Sequence, residues 1–552
     1  MYADVVLHRR IPSRFESFTY EVPIGISVSP GQLVLVPFRK QKLAGMIIRT
    51  HNSRPIYPTK MMETVTHDIL LPWQLKLVHW MAARYQTSLS KIVGLFIPEK
   101  VWPAARCKDK PTDSEGKIEA ASQKPSAKVE VPPVEEALLD IVQSSFSSGE
   151  KLILEKTALN RQKFYEELSA KLPRGSQMLI LFPEIFALKK FSSSLPVYHG
   201  ALKEKEKAQL WMAVRDGKIS AVAGTRQALF LPFKKLKHIV MDFEHNESYR
   251  EKRHPPYHAA EIASTLAEML DASLTMISGS PRVETYYRAR QKKNIMNWEH
   301  GAPLASVRII NMADERKKGN RAAFAEATLE KMAKTLACGG QTLIFVNRKG
   351  EASALLCQDC STAMRCPHCD GIFTLYPENI VRCHRCKTAV LAPAACPICR
   401  GNRLKALGIA TAGLEKEIQR VFEKASTMRI EGGAASKKKA LASLLNEKKL
   451  DEADIIIATQ MIDKPLTLQR LALTVCVSID HILNFPEFRA EERAWQLLTG
   501  LRLITNGDLF LQTFLPEHRV FQALANNIPE KFYEQELAAR QSLCLSPFSA
   551  KI

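Results

Sequence analysis

The chain has 552 residues, a net charge of +21 and a pI near 9.4, with 46% apolar and 24% charged residues. That composition excludes a disordered or fibrous chain, and the length implies roughly three to five domains. No run approaches the ~18 consecutive apolar residues of a membrane span, and the first 15 residues lack an apolar signal core, so a cytoplasmic protein with a polyanionic partner is expected, nucleic acid before a membrane surface.

Residues 1–56 read as a small β-rich module. Its strand candidates, 3–7, 18–22, 32–37 and 45–50, are separated by turn signals at Pro23–Gly25 and Pro30-Gly31. Arg9, Arg10, Arg14, Arg39, Lys40 and Lys42 crowd its loops, which suits a solvated surface or contact with nucleic acid. Residues 57–105 are expected to be helical. There Leu75, Leu77, Val78, Trp80 and Met81 recur at spacings that form one apolar face. Residues 106–133 are rich in Lys, Ser, Pro and Glu and read as a flexible linker.

From residue 134 short apolar runs alternate with helical stretches. The runs are 178–182, 197–199, 221–223, 238–241 and 274–278, and helices are expected over 204–216 and 257–270. Buried strands joined by helices argue for a parallel α/β sheet. The pattern returns with strands at 341–346, 454–458, 473–479 and 509–514. Two α/β lobes follow, one over 134–300 and one divided between 301–356 and 401–528, with a helical tail over 529–552.

The second lobe is interrupted at 357–400 by four C-x-x-C pairs, which hold eight of the 12 cysteines: Cys357/Cys360, Cys366/Cys369, Cys383/Cys386 and Cys396/Cys399. Each turn lets two thiolates converge on one tetrahedral ion, so eight make two structural zinc sites. A disulfide cluster or redox pair is the alternative, but disulfide frameworks belong to short secreted chains. Spacing alone admits neighbouring, crossed and nested pairings. The strand-like Gly371-Ile-Phe-Thr-Leu-Tyr376 between the middle pairs favours an inner site of Cys366, Cys369, Cys383 and Cys386 and an outer one of Cys357, Cys360, Cys396 and Cys399. His368 and His384 sit inside turns that already supply two sulfurs each.

These pieces resemble, in order and over nearly the whole chain, the bacterial primosomal replication-restart helicase family (primosomal protein N′, PriA). The cysteine block is very similar to the family's paired zinc-binding insert. Phe345-Val-Asn-Arg-Lys-Gly350 resembles its N-R-R-G turn, and Gly224-Thr-Arg-Gln-Ala-Leu-Phe-Leu-Pro-Phe233 its G-T-R-x-A-x-F-x-P-F motif. Ser248-Tyr249 with Tyr257-His258, Ala458-Thr-Gln-Met461 and Phe488-Arg-Ala-Glu-Glu-Arg493 resemble further motifs. The resemblance implies two RecA-like helicase lobes with parallel sheets, an N-terminal DNA 3′-end-binding domain, a winged-helix-like segment over 57–105, and the two-zinc insert. It also implies ATP and Mg²⁺ as cofactors for 3′→5′ unwinding. Forked or single-strand/double-strand junction DNA, primosome proteins, the replicative helicase and single-stranded DNA-binding protein are the implied partners.

The chain departs from that family where ATP chemistry has fixed needs. A phosphate cradle requires glycines, a Lys and a Mg²⁺-binding Ser/Thr. No G-K-[ST] occurs, and the corresponding passage carries Glu155, Ala158 and Asn160 at the glycine positions and Arg161-Gln162 at the Lys-Thr pair. The family's D-E-E-H is Asp242-Phe243-Glu244-His245, so the water-activating acid is missing beside the metal-binding Asp242. Its arginine motif has become Gly500-Leu-Arg-Leu-Ile-Thr-Asn-Gly507, with Arg502 displaced. We therefore expect ATP hydrolysis to be lost, with Arg161, Asp242, Glu244 and Arg502 as vestiges. Asp242, Arg226 and Arg348 would then serve in ion pairs that hold lobes together. An active helicase with a divergent site is the alternative.

In the N-terminal domain the resemblance implies DNA-binding roles for Phe18, Thr19, Tyr20, Gly31 and Lys40, although the family has an acid where Thr19 stands. A hydroxyl there holds a terminal nucleotide less strongly than a carboxylate. The family continues beyond Ser546-Pro-Phe-Ser549 into a C-terminal domain, which is expected to be missing.

Overall fold

The computed structural model describes residues 1–8, 16–68, 70–102, 133–192, 195–346, 353–357, 364–368, 373–376, 379–383, 386, 388–407, 411–430, 447–458, 468–477, 479–483 and 487–548. The expected linker, Arg348, His384, Cys360, Cys369 and the motif residues after Ala458 fall outside them. Two compact units form: Met1–Lys151 with Asn160–Ile277, and Leu152–Leu159 with Ser278–Ile552. Among the described residues no helix is long and apolar enough to cross a membrane.

The first unit begins with a six-stranded sheet in the order Lys60–Met61, Phe18–Glu21, Tyr2–Leu7, Gln41–His51, Gln32–Phe38, Thr64–Asp68. Alternation drives it. Ala3, Val5 and Leu7 point into a core with Tyr20, Val34, Val36 and Ile47. The sheet continues past residue 56 with the two strands at 60–68, which carry no apolar alternation to announce them. Helices Pro72–Arg84 and Leu89–Phe96 follow. Trp73 Nε1 donates to the Phe233 carbonyl at 3.0 Å and Gln74 Nε2 to that of Phe230 at 2.9 Å. The phenylalanines of the G-T-R-x-A-x-F-x-P-F passage thus anchor this helix pair, and both are buried.

The same unit holds five parallel strands in the order Val197–Tyr198, Ala221–Gly224, Gln177–Leu181, Leu236–Asp242, Ser273–Ser278. All but Lys237 and Val197 are buried, and apart from His238, Thr275 and the strand ends they are apolar, as a sheet covered on both faces requires.

In the second unit six parallel strands run in the order Ser306–Asn311, Asp508–Thr513, Leu471–Val477, Gln341–Val346, Ile455–Ala458, Thr427–Ile430. The cysteine module adds a five-stranded antiparallel sheet in the order Ala389–Leu391, Ile380–Cys383, Phe373–Tyr376, Ser353–Cys357, Leu404–Leu407. The architecture is α/β with parallel sheets, as expected.

Asp480 caps the end of this second sheet. It accepts from the Thr513 hydroxyl and from the Phe514 backbone N–H at 2.9 Å. Burial pushes its carboxyl up to about 6, against the pull of those two hydrogen bonds. A raised acid holds its proton more tightly folded than unfolded. Its contribution is therefore full below the unfolded value near 4 and is lost as pH rises through 6, a change of up to about 3 kcal/mol. Urea unfolding at pH 5 and pH 7.5 should show this slope, and Asp480→Asn should flatten it.

Candidate functional site: two cysteine clusters, the partners of Asp242 and a polar sheet face

The antiparallel module brings Cys357, Cys396 and Cys399 into one group and Cys366, Cys383 and Cys386 into another, each with its sulfurs within 4.8 Å of one another. Cys357 and Cys399 sulfurs stand 3.5 Å apart, and those of Cys366 and Cys386 3.4 Å. Two thiolates on one tetrahedral zinc ion stand about 3.8 Å apart, given Zn–S bonds of about 2.3 Å. The donor sets therefore fit such an ion, and all six are free thiols, not disulfides. The grouping is the nested one, inner turns together and outer turns together. His368 is exposed and belongs to neither group. The Gly401 N–H donates to Cys399 Sγ at 3.4 Å, orienting a ligand from behind.

The passage that resembles a phosphate cradle is a strand, Glu150–Glu155, a loop, and a helix, Arg161–Ala170. Its parts lie in different units. In the second, the Lys156 and Thr157 N–H groups both donate to the Trp298 carbonyl, at 2.9 and 3.2 Å. Thr157 Oγ1 accepts from the Gly301 N–H at 2.8 Å, and Lys156 pairs with Glu299 and Glu530 at 3.2 and 3.0 Å. Gly301 is obligatory, since a Cβ there would lie 1.9 Å from the Ala158 carbonyl oxygen.

In the first unit Asn160 caps the helix, accepting from the Lys163 N–H. Arg161, one residue on, reaches Asp242. Its Nε lies 2.8 Å from Asp242 Oδ2, with the two side chains 11% and 0% exposed. Tyr165, one turn later, donates its hydroxyl to the same oxygen at 2.7 Å, and the Phe243 N–H donates to Oδ1 at 2.8 Å. Both carboxylate oxygens are thus engaged by the protein. Burial and the neighbouring Asp242 raise the Tyr165 phenol well above its usual range, so it stays a donor. The Phe243 ring lies 4.1 Å under the Arg161 guanidinium. That placement holds Phe243 at φ 49°, a left-handed conformation that costs a non-glycine residue about 1–2 kcal/mol. Glu244 is fully buried, and burial with the nearby Arg161 charge lowers the His245 imidazole to about 4.

Arg502 lies in the second unit, inside helix Ala490–Ile504. It donates to the carbonyls of Ala305 and Leu524 and to Asn527 Oδ1, at 2.8, 3.2 and 2.8 Å. Burial depresses its pKa. In the Phe488–Arg493 passage Phe488 is exposed, while Arg489 and Glu492 turn to ion pairs. Arg489 pairs with Glu284, and Glu492 with the 2%-exposed Arg540 at 2.9 Å. Arg226 pairs with Glu251 at 2.7 Å. The ion pairs expected of Asp242 and Arg226 therefore lie within the first unit.

In the N-terminal sheet the residues expected to bind DNA fall on two faces. Phe18 packs edge-on against Phe38, and the buried Tyr20 donates to the Pro37 carbonyl at 3.3 Å. Thr19, between them, faces the other way. Gly31 adopts φ 96° at the head of one strand, and Lys40 is exposed in the turn before the next. On the Thr19 face its hydroxyl donates to Asp4 Oδ1 at 2.8 Å and lies 3.0 Å from the Tyr57 hydroxyl. Arg49 binds Asp4 Oδ2 through Nε and Nη2 at 3.0 and 2.9 Å, and His51 Nε2 stands 3.4 Å from Oδ1. Desolvation opposes the Asp4 charge. The Thr19 and Arg49 hydrogen bonds, the Arg49 charge and the His51 contact outweigh it and hold the carboxyl below its usual range. Sequence reading passed over Asp4 and Tyr57. One signal was present, a single acid inside the apolar run Tyr2–Leu7.

Residues 4–98 match the model of a PriA 3′ DNA-binding domain (3′BD). The chain is 31% identical over 404 residues to the replication restart protein PriA of Bacillus subtilis (strain 168), covering 70% of this chain and 50% of that one. It is 30% identical over 450 residues to that of Chlamydia pneumoniae, covering 77% and 60%. With the PriA of Rickettsia felis it shares 26% over 553 residues, covering 96% and 83%. The chain thus spans about half the length of the first of these relatives.

Proposed function

The chain belongs to the PriA family of replication restart proteins, and from that premise we propose that it is a DNA-binding primosome component of the bacterial cytoplasm that does not hydrolyse ATP. It recognises forked DNA at stalled replication forks and helps load the replicative helicase. The observation that carries this reading is the Asp242 carboxylate, whose two oxygens are taken by Arg161, Tyr165 and the Phe243 N–H. A metal-binding Asp needs an oxygen free for Mg²⁺, and a cradle needs N–H groups free for phosphate. Here the N–H groups of Lys156 and Thr157 are spent on Trp298. Phe243 cannot activate water, and Arg502 is held by carbonyls. The retained parts are the ones that need no nucleotide: a 3′ DNA-binding domain, a basic chain and two thiol clusters.

Two zinc ions would be held by Cys357, Cys360, Cys396 and Cys399 and by Cys366, Cys369, Cys383 and Cys386. When bound they supply structure, not turnover, because four sulfurs leave no open coordination position. The module they close is a platform for DNA or protein contact.

With ATP, Mg²⁺ and fork DNA, the zinc-replete protein is expected to show no DNA-stimulated phosphate release, while fluorescence anisotropy records tighter binding to a fork than to duplex at the same salt concentration. Turnover that Asp242→Asn abolishes, in a protein that still binds forks, would instead overturn the loss of ATP hydrolysis and favour an active helicase.

A further inference from the structure

The Thr19 hydroxyl is bound on both sides in a way that fixes its proton. Asp4 can only accept, so the Thr19 proton goes to Asp4 Oδ1. Thr19 Oγ1 is left an acceptor alone, and the Tyr57 hydroxyl, 3.0 Å away, must donate to it. A hydroxyl has two acceptor lone pairs. One of them takes Tyr57 and the other remains for an incoming donor, next to the lone pairs of the Tyr57 oxygen. Thr19 backed by Asp4 therefore presents to a ligand what a carboxylate presents: acceptors and no donor.

We propose that Asp4 acts through Thr19 to supply the acceptor that selects a free 3′-hydroxyl at a DNA strand end, with Tyr57 as the second, solvent-facing arm of the site. Asp4 is the positioning residue, since only 9% of its side chain is exposed and it cannot itself reach a ligand of this size. Thr19 and Tyr57 make the contact. The surroundings suit the end of a nucleic-acid strand. Tyr57 is 58% exposed and can carry a base, Tyr2 and His51 stack at 5.9 Å on the face that Asp4 shares, and the same Asp4 pins Arg49 with 71% of its side chain in solvent, where a phosphate can pair. The register puts Asp4 opposite both Thr19 and Arg49, so these groups share one sheet face. The inference rests on the reading of the N-terminal domain as a binder of DNA ends, and it supplies from a neighbouring strand the carboxylate that Thr19 lacks.

The test compares full-chain affinity for one fork ending in a 3′-hydroxyl and the same fork ending in a 3′-dideoxy nucleotide. The hydroxyl fork should bind about tenfold more tightly, the effect of one well-placed hydrogen bond. Asp4→Asn should bring the ratio close to one, because an amide can donate to Thr19 and turn its proton outward. Thr19→Val should do the same, and Thr19→Asp should keep the ratio. Since Arg49 is largely solvated, Asp4→Asn leaves no buried charge, and Thr19→Val, in which Asp4 keeps its Arg49 partner, stands in should Asp4→Asn misfold. A wild-type ratio of one with fork binding intact overturns this inference alone, as does an undiminished ratio in both neutral variants. Absence of any fork preference overturns the functional reading beneath it as well.

Discussion

Asp242→Ala is expected to cost the first unit about 3–5 kcal/mol of stability, the usual penalty for removing one partner of a buried ion pair. The magnitude follows from what the carboxylate holds. Its loss takes from the Arg161 guanidinium, the Tyr165 hydroxyl and the Phe243 N–H the acceptor they share, at a position where the Asp242 side chain has no exposure. Differential scanning calorimetry of the two proteins checks it. The direction separates two kinds of site. In a working nucleotide site the metal-binding acid waits for a cation, so its removal from the nucleotide-free protein is neutral or stabilising. Unchanged stability would mean that Asp242 is still kept for a ligand. Asp242→Asn should cost less, because the amide oxygen can still accept from Tyr165 or Phe243.

The same contrast separates what could be read in the sequence from what could not. Chemistry written in local spacing was legible. Four C-x-x-C turns announced two metal-type clusters, and the strand between the middle pair favoured the nested grouping that Cys357, Cys396 and Cys399 adopt. That the passage lacks the glycines and the Lys-Thr pair of a phosphate cradle was legible too, because such residues are local. The replacement was not. Arg161 and Asp242 are 81 positions apart, and nothing in either neighbourhood says that a guanidinium will meet that carboxylate. Tyr165 looked like one more aromatic on a helix. Asp4 and Thr19 are only 15 apart, yet their meeting depends on strand register, which the apolar alternation sets for the opposite face. Strands Lys60–Met61 and Thr64–Asp68 were missed because they carry no apolar period to find.

Removing zinc should unfold the cysteine module while leaving the parallel sheet beneath it in place. The module's core is Leu355, Met364, Phe373 and Val381 with four of the cysteines themselves, so taking the ions away also takes half the core's anchors. Structural zinc contributes about 10–16 kcal/mol of apparent folding free energy per site, far more than so small an apolar cluster can replace. Among the described residues, the core under Gln341–Val346 and Leu471–Val477 contains none of the module, which confines the damage. Nesting then ranks the sites. Cys357 and Cys399 close a span of 42 residues and tie the strand Ser353–Cys357 to the end of the module, whereas Cys366 and Cys386 close 20 residues within it. Cys357→Ser should therefore release the whole module, and Cys386→Ser only the inner hairpin of Phe373–Tyr376 with Ile380–Cys383. Amide hydrogen exchange would show protection lost across 353–407 in the first variant and across 373–386 in the second. Fork affinity should fall with the first and hold better in the second if the outer strands form the contact surface. Full protection and full fork affinity after chelation, with zinc loss verified by metal analysis, would remove both the structural role of the ions and the module's part in binding.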